Sequence, residues 1–107
     1  MTALRSVRVR RAMSLLEGRM NPAAFEDQLK SEGYVVSTSE TIGPKVNPAH
    51  SHPFDVKALV LKGAITLTCD GKSQTFGPGE VFEMARKCEH FESYGPEGAV
   101  VLAGRRT

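Results

Sequence analysis

The sequence predicts an all-β sandwich or barrel with one short helix in front of it. Three observations carry this reading. Short strand-like runs recur from Tyr34 to Ala103, most of them closed by Gly or Pro, which is the rhythm of strands and turns in all-β domains. Asp70-Gly71 lies between two such runs and is a two-residue hairpin signal. Residues 21–33 carry helix start and stop signals in the correct order.

In that helix Asn21 can cap, Pro22 suits the first helical position, acids follow in the early turns and Gly33 can close the end. Phe25 and Leu29 are spaced i, i+4 and give a small apolar stripe for docking on a sheet. Tyr34 to Thr41 reads as the first strand, and Gly43-Pro44-Lys45-Val46-Asn47-Pro48 as a turn-rich link. Val56 to Leu61 is strand, Gly63 interrupts it, and Ile65 to Cys69 continues it. Lys72 to Phe76 returns antiparallel after the hairpin, and Gly77-Pro78-Gly79 turns again. Glu80 to Met84 and Glu89 to Tyr94 are strands, Gly95-Pro96-Glu97-Gly98 is a turn, and Ala99 to Ala103 is the last strand before a polar end.

A chain of 107 residues, 40% hydrophobic and 24% charged, is expected to form one domain that buries its own core. No apolar run approaches the length of a membrane span, so no membrane partner is expected. Two cysteines make no disulfide framework and no secretory core precedes them, which points to a cytoplasmic setting. Residues 1–20 carry five arginines against Glu17, a net +4 that leaves −2 for the rest of a chain whose total is +2. Nucleic-acid binding needs a basic face on the folded domain, and no such partner is expected on this pattern. In the basic segment arginines and aliphatics interleave around a helical wheel instead of separating. It reads as a disordered or non-native arm, with an organelle leader as the alternative.

His50 and His52 lie one residue apart ahead of the apolar run, and the third histidine of the chain, His90, sits in a later strand. Strand residues i and i+2 share a face, so a sheet folded back on itself could bring all three imidazoles together. Neutral imidazoles suit transition metals, and three of them leave coordination positions open. The same alternation places Cys88, Glu92 and Tyr94 on the face of His90. Glu92 is the candidate inward carboxylate, as general base or as ligand. Cys88 is a candidate thiol beside the site, whereas Cys69 reads as packing. Phe54, Phe82 and Met84 are expected to line or support the pocket. Ala58 and Val60 should point inward and Leu59 and Leu61 outward, a strand apolar on both faces that belongs to a covered sheet.

From about Val46 to Leu102 the chain resembles the small single-domain cupins of the RmlC-like cupin superfamily. His50, His52 and Gly63 occupy the places of the first cupin motif, and Gly79-Glu80-Val81-Phe82 with His90 those of the second. The usual Glu of the first motif falls on Val56, Ala85-Arg86-Lys87 replaces a Pro-x-Gly, and Tyr94 takes the place of an Asn. The resemblance implies a cupin-type double-stranded β-helix, or jelly-roll barrel, over 21–107, with a helix at 21–33 and a barrel over 34–104. It implies a divalent transition metal (Fe, Zn, Cu, Ni or Mn) on His50, His52 and His90 without the usual carboxylate, beside which Glu92, placed by strand alternation, is the candidate catalytic base or extra ligand. It implies a homodimer and, in first place, a mononuclear oxygenase acting on a small polar molecule. Isomerase and lyase chemistry stay open, and the alternative is a non-catalytic module that binds a small ligand or a metal.

Overall fold

The computed structural model describes residues 9–12 and 21–107. Two long strands carry the architecture, β4 (Asp55–Cys69) and β7 (His90–Arg106), paired antiparallel from Asp55↔Arg106 to Thr68↔Phe91. Both are bent midway, where the register shifts around Lys62 and Gly63, so each contributes to two layers. On one side of the bend they are flanked by β6 (Val81–Met84) and β2 (Val35–Thr41). On the other they are flanked by β5 (Lys72–Phe76) and β3 (Lys45–His50).

The sequence reading placed a turn at Gly95–Gly98, but the strand runs through it. Glycine is the reason. Gly98 holds φ at +64°, and a Cβ there would overlap the Thr41 carbonyl oxygen, while one at Gly63 would overlap the Gly98 carbonyl. Backbone crosses backbone at this point, and the bend takes the place of a loop. Asp70 and Gly71, with φ of 54° and 77°, form the hairpin between β4 and β5 as their types require. The link expected at Gly43–Pro48 is instead mostly strand, β3. It pairs with β7 only, and Pro48 is tolerated on such an edge.

The inner faces enclose a core of Ala58, Val60, Ile65, Leu67, Phe76, Phe82, Met84, Val101 and their neighbours. Outside, helix α1 (Pro22–Ser31), capped by the Asn21 side chain, lays Phe25 and Leu29 on Leu59, Val81 and Leu102. Both helix residues are fully buried, worth roughly 1.5–3 kcal/mol each. Leu61 packs against the same cluster. The chain's own helix therefore covers this outer face of β4.

Part of the basic amino-terminal segment is structured. Val9–Ala12 forms β1, antiparallel to β6 with Val9 opposite Met84, where the sequence reading placed no strand. Its cations meet acids: Arg10 pairs with Glu83 at 2.9 Å and Arg11 with Glu80 at 2.7 Å. The rest of that segment lies outside the described residues. Among the described residues no helix is long and apolar enough to cross a membrane.

Candidate metal centre

Strand β3 ends at His50, and a register shift between Asn47 and His50 sets three residues of β3 against two of β7, so that Asn47 faces Glu92 and His50 faces His90. His52 is not on the strand. It reaches the site from the link before β4, where its carbonyl accepts from the Lys87 amide at 2.7 Å. Its neighbourhood with His50 thus comes from a strand end and a loop, not from strand alternation. The β7 residues do follow alternation: His90, Glu92 and Tyr94 point the same way.

The outcome is one cluster. Ligand atoms of His50, His52, His90 and Glu92 all lie within 4.8 Å of one another. The imidazole centroids are 4.8 Å (50 to 52), 4.5 Å (50 to 90) and 5.4 Å (52 to 90) apart. Val56 on β4 carries no carboxylate, and Glu92 on β7 places one beside the three imidazoles.

Hydrogen bonds fix how these groups face each other. Nδ1 of His50 lies 2.7 Å from the Pro48 carbonyl and Nδ1 of His90 lies 3.0 Å from the Cys88 carbonyl. A carbonyl oxygen only accepts, so both Nδ1 atoms carry the proton and both Nε2 atoms present a lone pair when the ring is neutral. Those Nε2 atoms lie 3.5 and 3.3 Å from the same atom, Glu92 Oε2. The other oxygen, Oε1, accepts from Asn47 Nδ2 at 2.8 Å and from the Tyr94 hydroxyl at 3.1 Å. Two lone pairs and a carboxylate oxygen converge with nothing positive between neutral rings. A cation, or a proton, has to satisfy them, and the donor set of three nitrogens and one oxygen suits a divalent transition metal. The outer contacts to Pro48, Cys88, Asn47 and Tyr94 are the kind that orient metal ligands.

Without metal the proton takes that place. Hydrogen bonding to His90, opposed by burial and helped by Asn47 and Tyr94, holds Glu92 down at about 2. Burial pulls His90 down, but the hydrogen bonds to Glu92 and the Cys88 carbonyl and the charge of Glu92 raise it on balance. Burial, then the neighbouring His50 and His90, lower His52. Burial chiefly, with the Glu92 charge, pushes Tyr94 up to about 12.

Beside the cluster lies a cavity of about 250 Å³, somewhat below the roughly 300–1,000 Å³ of drug-sized sites. His52, Glu92, Asn47 and Tyr94 contribute to its wall, with Phe54, Phe82 and Met84 as expected from sequence. Phe54 stacks on His52 at 4.9 Å. The remaining wall is largely aliphatic, from Val56, Ile65, Leu67 and Val101. Asp55 is turned away and binds Arg86 through the backbone amide and the guanidinium, at 2.9 and 3.1 Å. The Cys88 side chain packs in the core, its sulfur 3.2 Å from that of Cys69, while its carbonyl holds His90 Nδ1. Asn47 and Arg105 were missed by sequence reasoning. Asn47 sits in a segment that reads as turn, and Arg105 lies beyond the point where the last strand was ended.

Solved structures share this architecture. A cupin-2 domain protein from Shewanella frigidimarina is 17% identical, with 77% of this chain and 92% of that one covered at a TM-score of 0.59. An RmlC-like cupin from the same organism is 14% identical over 70% and 68%, also at 0.59. The fold is a cupin. A third similar structure is the polyketide cyclase RemF from Streptomyces resistomycificus, 23% identical over 69% of this chain and 55% of RemF, at a TM-score of 0.58. At these identities the likeness is one of fold. No protein-family model and no curated protein sequence matches the chain.

Proposed function

We propose that this cupin is a metal-dependent protein that holds one divalent transition metal on His50, His52, His90 and Glu92 and binds a small molecule in the adjoining cavity. The supporting observation is the convergence of the two Nε2 lone pairs on Glu92 Oε2, with both imidazoles fixed by backbone carbonyls. When bound, such a metal polarises an oxygen of a substrate or acidifies a bound water.

The chain's own residues supply positioning. Asn47 and Tyr94 hold one oxygen of Glu92 so that the other faces the imidazoles. A carboxylate near 2 is a weak proton acceptor at neutral pH, which favours Glu92 as ligand over general base. Oxygenase, isomerase and lyase chemistry would each draw on such a metal site. The cavity wall mixes polar groups (Ser39, Thr41, Asn47, His52, Glu92, Tyr94 and Arg105) with aliphatic ones, which suits a small molecule with both polar and apolar parts.

Elemental analysis of protein purified without a chelating tag is expected to give about one transition metal per chain, lost in His52→Ala. Protein with no metal, and with no thermal shift on adding Zn, Fe, Mn, Ni or Cu ions, overturns the reading. A metal-loaded protein that turns over no substrate is the non-catalytic module.

The metal's effect should depend on pH with a definite sign. Metal binding needs neutral imidazoles, and His90 titrates above its ordinary value of 6.5. In the metal-free protein the His90–Glu92 pair stabilises fully below 6.5 and is lost as pH rises through the raised value. Its Glu92 side is present above 4.5 and is lost as pH falls toward 2. His52, held below 6.5, acts in the opposite sense to His90. The gap in melting temperature between loaded and chelator-treated protein is therefore expected to be small at pH 5.5 and to widen toward pH 8. At 100-fold excess over Kd it should correspond to about 2.7 kcal/mol.

A further inference from the structure

We propose that Arg105 is the specificity-determining residue of the cavity and that the molecule it selects is a short monocarboxylate with an apolar body. This rests on the cavity of the proposed function, though its Arg105 contact needs no metal. Ala99, Val101 and Ala103 face inward on the last part of β7, and Arg105, the next residue in that alternation, is exposed at the edge of the cavity. The aliphatic row on this side of the cavity therefore ends in an exposed cation. The other strand arginines are matched by acids: Arg10 by Glu83, Arg11 by Glu80, and Arg106 by Asp55 at 3.8 Å. Arg105 has no carboxylate partner among the described residues. Its guanidinium rests on the Phe54 ring at 5.3 Å, a contact that uses its face and leaves its N–H donors for other acceptors.

The register explains why the charge is unmatched. Arg105 stands opposite Val56 on β4 and opposite Val35 on β2, and neither carries charge. Glu92, the acid that does line the cavity, is occupied by His90, Asn47 and Tyr94. One uncompensated positive charge calls for one negative charge, and the planar guanidinium fork matches a carboxylate. Val56, Ile65, Leu67 and Met84 then cover an aliphatic or aromatic body. A doubly charged phosphate would bring a charge and acceptors that the site does not match.

Calorimetry with hexanoate, its neutral analogue hexanamide and inorganic phosphate tests this on the full chain, chelator-treated and zinc-loaded. Hexanoate is expected to bind about tenfold or more tighter than hexanamide in both forms. Arg105→Gln should erase that preference by weakening hexanoate far more than hexanamide, with the melting temperature kept, and Arg105→Lys should keep part of it. A preference seen only with zinc and retained in Arg105→Gln places the carboxylate on the metal. That overturns the proposal and leaves the metal reading intact. An Arg105-dependent preference in a chain that takes up no metal supports the proposal and removes the metal reading. Binding of neither hexanoate nor hexanamide, or phosphate binding as tight as hexanoate, overturns it.

Discussion

His90→Ala is expected to abolish metal loading and to lower the melting temperature of the metal-free protein by roughly 10 °C. The two effects have separate causes. His90 is 1% exposed and supplies one of the converging nitrogens, so without it the donor set is incomplete. It is also the principal partner of Glu92, whose carboxyl it helps hold near 2. Removing one member of a buried ion pair costs about 3–5 kcal/mol because the other charge is stranded. The Glu92 side chain is 15% exposed and keeps Asn47 and Tyr94, so about 2–3 kcal/mol is the better figure, at about 4 °C or more per kcal/mol. Changing Glu92 to Gln in the His90→Ala background should recover part of the stability and none of the metal. His50→Ala, at a ring 33% exposed, should lose the metal with a smaller drop in melting temperature. Metal analysis and thermal melts of the four proteins check all three statements. A His90→Ala protein that keeps its metal defeats the assignment of the site.

How much was legible in the sequence depended on which residues set the geometry. Alternation and turn chemistry are local, so the hairpin at Asp70-Gly71, the helix capped by Asn21 and the shared face of His90, Glu92 and Tyr94 could be read directly. Position across a bulge is not local. The register shift between Asn47 and His50 puts Asn47 onto Glu92, and no periodicity in Gly43–Pro48 announces it. The turn expected at Gly95–Gly98 failed for a related reason. Gly and Pro mark both a loop and a bent strand, and only the close approach of Thr41 tells the two apart. Arg105 was lost when the last strand was ended at Ala103, although the small and apolar alternation continues straight into it. The doubly apolar β4 was read correctly as covered on both sides, but its cover proved to be Phe25 and Leu29 of the same chain.

Gly98→Ala is expected to destabilise the fold by more than about 4 kcal/mol, in the exceptional range for a single substitution, and to weaken metal binding with it. Gly71→Ala is the control. Both glycines hold a positive φ, +64° at 98 and +77° at 71, so both substitutions carry the left-handed penalty of roughly 1–2 kcal/mol. They differ in surroundings: a Cβ at Gly71 meets nothing within 4 Å, whereas one at Gly98 collides with the Thr41 backbone. The difference between the two variants in urea unfolding therefore isolates the backbone crossing. That crossing lets one strand place His90 and Glu92 in one layer and Arg105 in the other. If it opens, the imidazoles of β3 and β7 part from the link that carries His52, and the metal is lost along with the bend. Equal costs for the two substitutions, with metal retained in both, would show that the two layers are held together by their side chains and not by the glycine crossing.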